Sequence, residues 1–184
     1  MMVEVTSPVD ARRLIAEGCL LAYPTEAVYG LGCDPFNQTA VDKLLTVKQR
    51  SVSKGLILLI YDWEQLMSLI SAVPVARLDV VRATWPGPTT WVFPKSNRIP
   101  VWISGVHDSV AIRMTAHSVA RSLCLDGPLV STSANITGNP SIMDSHQLKT
   151  VFPQGIDGFV TGALGTALQP SVMIDVLSGA QLRP

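Results

Sequence analysis

Apolar and polar positions alternate along this chain in short blocks, and their spacing switches repeatedly between helical and extended patterns. Helical spacing predicts helices near residues 8–17, 39–48, 62–70, 75–85, 116–123 and 145–151. Short apolar or β-branched runs predict strands at residues 19–22, 56–60, 89–93, 110–113, 129–132 and 172–176. Because strands and helices interleave, we expect an α/β fold. No repeat or long linker divides the chain, so we expect one domain over residues 1–184.

Two of the predicted helices carry clear start signals. Ser7 precedes a proline at the first helical position and an aspartate in the first turn, and Gly18 marks the end of the same helix. Asp62 and Gln65 have the spacing of a capping box.

The composition describes a lightly charged chain. Of its 184 residues, 47% are hydrophobic and 15% charged, which favours a broad cleft that holds apolar and hydroxyl groups. The longest uncharged apolar stretch, residues 55–61, is far shorter than the roughly 20 residues of a spanning helix, so we expect no membrane association. The first residues lack the features of a signal peptide, and three cysteines cannot all pair, so we expect a reducing cytoplasm.

Charge is balanced overall but uneven along the chain. Fourteen basic and fourteen acidic residues give a net charge of zero, so no global field attracts nucleic acid. Residues 43–61, however, contain four cations and no carboxylate, which predicts either a local anion site or a solvated face.

Several common signatures are absent. Gly30 and Gly32 begin like a dinucleotide-binding fingerprint, but Pro35 stands where the third glycine belongs. The chain has neither a P-loop nor a Gly-x-Ser-x-Gly elbow. Its three histidines and three cysteines lack ligand spacing, so we expect no metal site built from them.

The segment from Tyr23 to Cys33 contains a hydroxyl, a carboxylate and two phenols directly after an apolar run, and we interpret it as a binding loop. Thr25 and Glu26 could instead cap a helix, but no helical period follows them.

Lys48 and Arg50 lie two residues apart at a predicted helix end, where they can converge on one polyanion. On this triplet alone, surface charge that complements the helix dipole is the favoured interpretation. Residues 131–135 end a predicted strand with three hydroxyls and an amide, which can bind phosphate oxygens or simply form a turn.

Arg113 ends another predicted strand and could bind a substrate carboxylate or form an ion pair. The sequence Pro-Gly-Pro-Thr-Thr at residues 86–90 could belong to the site, although a rigid turn is the simpler interpretation.

Together these motifs resemble the TsaC/YrdC family of threonylcarbamoyl-AMP synthases. The resemblance is carried by six motifs in the family's order: Tyr-Pro-Thr-Glu-x-Val-Tyr-Gly-Leu-Gly, Lys-x-Arg, Pro-Gly-Pro-x-Thr, a strand-ending arginine, Ser-Thr-Ser-Ala-Asn and Pro-Ser-x-x-x-Asp. Ser51 stands where many relatives carry proline, and Val172 where relatives often carry threonine.

The resemblance implies a twisted open mixed sheet with flanking helices and a large concave face. It implies a synthase that forms L-threonylcarbamoyladenylate and pyrophosphate from ATP, L-threonine and bicarbonate, usually with Mg²⁺. The product would pass to partner proteins that modify adenosine 37 of tRNA. By similarity, the residues that hold ATP would be Lys48, Arg50, Ser133, Asn135 and Ser141. Those that hold threonine would be Thr25, Arg113, Thr132 and Ser171.

Two other functions stay open at this point. The chain could be a module that binds double-stranded RNA or tRNA, although its balanced charge and lack of interleaved basic and aromatic residues give little support. A serine-rich loop could also hydrolyse acyl groups, although no histidine is paired with it by spacing.

Overall fold

Ten strands form a single sheet in the computed structural model, which describes residues 2–167 and 171–183. The strands are β1 (Val3–Val5), β2 (Leu21–Pro24), β3 (Tyr29–Gly32), β4 (Ile57–Ile60), β5 (Thr89–Pro94), β6 (Ser109–Met114), β7 (Leu129–Ser133), β8 (Gly158–Val160), β9 (Val172–Asp175) and β10 (Gln181–Arg183). Pro170, the first residue of the last motif, lies outside the described residues.

Helices lie between the strands. Those in the described ranges are α1 (Pro8–Ala16), α2 (Gln38–Lys48), α3 (Trp63–Leu69), α4 (Val75–Arg82), α5 (Val101–Ser104), α6 (Ser118–Leu123) and α7 (Ser145–Val151). Within these ranges, no helix is both long and apolar enough to cross a membrane.

The sheet is mixed. Its order is β1-β8-β2-β3-β7-β4-β6-β5-β9-β10. Strand β4 pairs parallel with β6 and antiparallel with β7, while β2 pairs antiparallel with β3. The predicted α/β class with an open mixed sheet is therefore confirmed.

Local sequence signals set the helix ends. The Ser7 hydroxyl accepts a hydrogen bond from Asp10 N, and the Asp62 carboxylate accepts one from Gln65 N, as the capping patterns predict. The Gln65 amide oxygen accepts from Tyr61 N, one residue before the cap. Helix α4 ends at Arg82, before the predicted end at residue 85.

The interpretation of the Tyr23–Cys33 segment as a binding loop is wrong for most of its length. The segment is a hairpin in which β2 and β3 are fully buried, and only the turn at residues 25–28 leaves the sheet. Gly32 is required by close packing, because a Cβ at this position would lie 2.2 Å from Val130 O.

Alternate residues of each strand face opposite sides of the sheet. On β4, Leu58 and Ile60 join the larger core cluster, whereas Leu59 packs with the cluster under α1 and α6. The face that carries Leu59 also carries Arg113, its neighbour on β6. Helices α1 and α6 cover only part of this face, and the uncovered part holds the candidate site.

Candidate active site

A cavity of about 220 Å³ opens on the uncovered part of the sheet. Seven of the nine predicted site residues line it: Thr25, Arg50, Arg113, Thr132, Ser133, Ser141 and Ser171. They come from six separate segments of the chain, so the fold alone brings them together.

Lys48 and Asn135 lie behind the cavity wall. Lys48 is 2% exposed, and its ammonium group donates to the carbonyl oxygens of Ser133 and Asn135 and to the Asn135 side-chain oxygen, the last at 3.1 Å. Ser133 Oγ donates to the same Asn135 oxygen at 2.7 Å. Lys48 therefore fixes the loop after β7, and its interpretation as a surface charge is wrong.

The loop then returns to the sheet. Thr137 donates its backbone N–H and its hydroxyl to Lys48 O, both at 2.9 Å. Ile142 N donates to Ala134 O at 3.0 Å, which places Ser141 at the cavity. The turn-forming residues after β7 thus build one wall of the site.

Arg50 faces the cavity because the helix before it ends sharply. Gln49 adopts a left-handed conformation with φ of 49°, so the chain turns away from the helix axis after Lys48. Arg50 Nη2 donates to Gly55 O at 2.9 Å, while its buried Nε has no hydrogen-bond partner among the described residues. A buried unused donor is suited to an incoming anion.

Arg113 is both a cavity residue and a member of an ion pair. Its Nη2 lies 3.1 Å from the Glu26 carboxylate, and the two side chains are 11% and 15% exposed. Glu26 Oε1 also accepts from Thr115 Oγ1 at 2.6 Å and from Ala116 N at 3.2 Å. Burial opposes ionisation, but Arg113 and these donors outweigh it and lower the pKa of Glu26.

Thr25 belongs to the turn that carries Glu26, not to a helix cap. Its hydroxyl donates to Val28 O at 2.6 Å, which leaves the oxygen's lone pairs for a donor from a ligand. The segment at residues 161–167 crosses this turn, where Gly165 N donates to Thr25 O and Ala167 N to Glu26 O. Position 165 requires glycine, because a Cβ there would clash with Glu26 O at 2.7 Å.

Arg183 is a cavity residue that the sequence did not reveal. Its Nη2 donates to Ser171 O at 3.0 Å, and the Ser171 hydroxyl is 2.8 Å from that of Thr90. Thr90 follows the Pro-Gly-Pro turn, so that motif forms a turn and also supplies a side chain to the site. Glu26 and Ser131 also line the cavity, although neither was predicted as a site residue. The only sequence signal for them was that each belongs to one of the motifs.

Four cations form a row: Arg50, Arg183 and Arg113 line the first cavity, and Lys48 lies behind its wall. Burial, followed by the charge of Arg50, lowers the pKa of Lys48 to about 8. Burial and then Arg183 lower the pKa of Arg50, and partial desolvation and then Arg113 lower that of Arg183. Within the described ranges, Glu26 is the only residue that forms a salt bridge with any of these cations. The row is thus a site for anions.

A second cavity of about 210 Å³ continues from the first and shares Arg50, Leu56, Ile57 and Arg183 with it. Part of its lining is apolar and consists of Val92, Val110, Ala111, Met173 and Leu182, while Lys54 and His107 are among its polar residues. The two cavities form one cleft with a cationic middle.

The residues of the cleft offer little to a protein-bound metal ion. In the part of the chain that the structure describes, no group of three histidine, cysteine, aspartate or glutamate residues could hold one. The carboxylate that lines the first cavity, Glu26, is already engaged by Arg113, Thr115 and Ala116.

Comparisons with known proteins agree on one relationship. A family model named Sua5/YciO/YrdC, with the description "telomere recombination", matches residues 13–183. The threonylcarbamoyl-AMP synthase of Coxiella burnetii is 48% identical over 176 residues, which are 95% of this chain and 95% of that protein. The threonylcarbamoyl-AMP synthase of Pseudomonas aeruginosa PAO1 is 46% identical over 175 residues, again 95% of both.

A solved structure of P. abyssi Sua5 complexed with L-threonine matches with a TM-score of 0.85 and 34% identity. The match covers 95% of this chain and 54% of that one, so this chain spans about half the length of the P. abyssi protein.

Proposed function

This chain belongs to the Sua5/YciO/YrdC family, and from that premise we propose that it is a threonylcarbamoyl-AMP synthase. It forms L-threonylcarbamoyladenylate and pyrophosphate from L-threonine, bicarbonate and ATP, and is thereby a nucleotidyltransferase. The adenylate is consumed by partner proteins that place the threonylcarbamoyl group on adenosine 37 of tRNA.

The observation that carries this proposal is the row of cations in a cleft of two cavities. A polyphosphate needs several converging cations, and a nucleoside needs an adjoining apolar floor. Arg50 and Arg183 lie where the two cavities meet, so phosphates bound there leave the second cavity to the nucleoside.

Phosphate binding then divides among residues that touch ATP and residues that hold the wall. Arg50 lines the first cavity and supplies its guanidinium charge there, and Ser133 and Ser141 line the same cavity. Lys48 and Asn135 act from behind, by fixing the loop and by adding the lysine's charge. This division refines the expectation that all five residues contact the phosphates.

Threonine binds at the other end of the first cavity. Arg113 takes its carboxylate, while the hydroxyls of Thr25, Thr132 and Ser171 surround its side chain. A site built from polar partners for a hydroxyl discriminates strongly against amino acids that lack one, because those partners would stay unpaired.

The chemistry requires positioning more than covalent help. The threonine amine captures bicarbonate to give a carbamate and water. A carbamate oxygen then attacks the α-phosphate in line, and pyrophosphate leaves with the electrons of the broken P–O bond. Arg50 and Arg183 stabilise the charge on the phosphates. The carbamate is already an anion, so its attack needs no histidine base.

Magnesium remains a proposal that rests on the substrate. ATP carries Mg²⁺ on its phosphate oxygens, where the ion neutralises charge. The donors in the cleft do not fit a metal held by the protein, so no step here is assigned to the ion.

The test is the formation of adenylate and pyrophosphate from ATP, with and without threonine and bicarbonate. We expect turnover only when all three substrates are present. Pyrophosphate release that does not depend on threonine would contradict the proposal.

The alternatives have weaker support. The two joined cavities, of about 220 and 210 Å³, suit a small-molecule ligand. In the described chain, Ser133 Oγ donates to Asn135 and to no histidine, which gives no support to acyl hydrolysis. Binding of tRNA with a steep salt dependence but no turnover would favour an RNA-binding module.

A further inference from the structure

Glu26 is the only carboxylate among the described residues that line either cavity of the cleft. It lies beside Arg113 at one end of the cation row, whereas Arg50 and Arg183 form no salt bridge within residues 2–167 and 171–183. The first cavity is therefore asymmetric in charge: the cation at one end is paired with a carboxylate, and the cations at the end that joins the second cavity are not.

The Glu26 carboxylate is held from several directions. Oε2 accepts from Arg113, and Oε1 accepts from the hydroxyl of fully buried Thr115 and from Ala116 N. The Glu26 backbone is fixed as well, because its carbonyl oxygen accepts from Ala167 N at 3.0 Å. These contacts keep the negative charge in place against Arg113.

The asymmetry matches the charges of two kinds of ligand. A polyphosphate carries several negative charges and is favoured by cations without partners. An α-amino acid carries one positive and one negative charge, so it is favoured where a cation and an anion lie side by side. A carboxylate without an amine would bring an uncompensated negative charge next to Glu26.

We propose that Glu26 is a positioning residue that determines specificity. It fixes the guanidinium of Arg113 and cancels its charge, so that this end of the cleft selects a zwitterionic amino acid and rejects simple carboxylates and additional phosphate. The identity of the amino acid as threonine rests on the proposed function, but the charge selection does not.

The test is calorimetric binding of three probes to the full chain: L-threonine, 3-hydroxybutyrate and inorganic tripolyphosphate. 3-Hydroxybutyrate is threonine without its amine. In the Glu26→Gln variant, we expect the preference for threonine over 3-hydroxybutyrate to fall by at least about tenfold. Tripolyphosphate should bind at least about fivefold more tightly, because a negative charge near the row has been removed.

Three further variants separate charge from structure. Thr115→Val removes one hydrogen bond to Glu26 but keeps the charge, so threonine binding should weaken a few-fold with the preference over 3-hydroxybutyrate retained. Glu26→Asp also keeps the charge and should retain the preference within about threefold. Glu64→Gln makes the same chemical change at an exposed position of α3, which lines a separate cavity, and should change neither quantity.

A folded Glu26→Gln variant that keeps both the threonine preference and the wild-type affinity for tripolyphosphate would overturn the inference. If that variant does not fold, loss of the preference in Glu26→Asp would overturn it instead. A wild-type protein that binds tripolyphosphate but not threonine would contradict the proposed function. In that case, tighter tripolyphosphate binding by Glu26→Gln would still support the charge role of Glu26.

Discussion

The two ends of the first cavity use the same kind of cation and differ in the group that the cation contacts. Arg113 meets the Glu26 carboxylate at 3.1 Å, while Arg50 meets a backbone carbonyl, that of Gly55, at 2.9 Å. A neutral carbonyl leaves the net positive charge of the guanidinium in place, whereas a carboxylate makes the pair neutral as seen by a distant charge. The comparison teaches that neighbouring guanidinium groups can serve different anions according to the charge of their partners.

Removal of Arg50 should abolish phosphate binding at the end of the first cavity that has no carboxylate. For Arg50→Ala we expect turnover to fall by about 1,000-fold, because a cation that stabilises developing phosphate charge contributes that much in comparable sites. Release of pyrophosphate measures the effect. Arg98→Ala is the matched control, since Arg98 is exposed and its guanidinium lies 5.6 Å from the Phe36 ring centre. Turnover within tenfold of wild type would show that the phosphates bind elsewhere.

Removal of Lys48 should loosen the wall of the same end. For Lys48→Met we expect the free energy of unfolding to fall by about 3 kcal/mol, because several oxygen acceptors lose a buried charged donor. Denaturant unfolding measures this loss. The exposed Lys149→Met should change it by less than about 0.5 kcal/mol. Equal stability of the two variants would mean that Lys48 does not hold the loop.

Removal of Arg113 should weaken amino-acid binding at the end of the first cavity where Arg113 pairs with Glu26. For Arg113→Met we expect threonine affinity to fall by about thirtyfold and tripolyphosphate affinity by less than about threefold. The variant also leaves Glu26 buried without a cation, so a double variant with Glu26→Gln should be more stable than Arg113→Met alone. Calorimetry and thermal melting measure the two effects. A double variant less stable than either single one would contradict a simple charge pair.

The lowered pKa of Lys48 should make the free energy of unfolding depend on pH. Its pKa is lowered from 10.5 to about 8 in the folded protein, so the unfolded chain binds the extra proton between those values. The wild type should therefore gain about 1 kcal/mol or more of stability relative to Lys48→Met as pH rises through this window. Unfolding at several pH values measures the difference. A difference that shrinks with rising pH would contradict the lowered pKa.

The smallest expected effect concerns Thr90, which is fully buried and contacts the Ser171 hydroxyl at 2.8 Å. Thr90→Val keeps the volume and removes this contact, so threonine affinity should fall by about threefold to fivefold. Thr46→Val removes a hydroxyl from the exposed face of α2 and should leave binding unchanged. An identical affinity in both variants would show that Ser171 needs no support from Thr90.

Local signals in the sequence predicted the parts of the fold that depend on neighbours along the chain. The caps at Ser7 and Asp62 lie where their spacing placed them, because a cap needs only four consecutive residues. The hairpin from β2 to β3 was missed, since its burial depends on strands far away in sequence. The strand β1 at residues 3–5 and the strand β10 were also missed, because three residues carry no measurable period.

The site shows the same limit. Arg50 and Ser133 were found because each belongs to a recognisable motif beside an element end. The partnership of Glu26 with Arg113 spans 87 residues, and Arg183 reaches Ser171 only through the pairing of β10 with β9. Such contacts depend on sheet order, which the local pattern does not encode.

The backbone conformation of Gln49 determines where the two cations of the Lys-x-Arg motif lie. Its left-handed backbone, at φ of 49°, costs about 1 kcal/mol for a residue with a side chain. That handedness sends two cations from one helix end to opposite sides of a wall, one to brace it and one to face the ligand. A continued helix would have turned the two side chains about 200° apart around a single axis, with no wall between them. The conformation of one uncharged residue thus gives Lys48 a structural role and Arg50 a place in the ligand site.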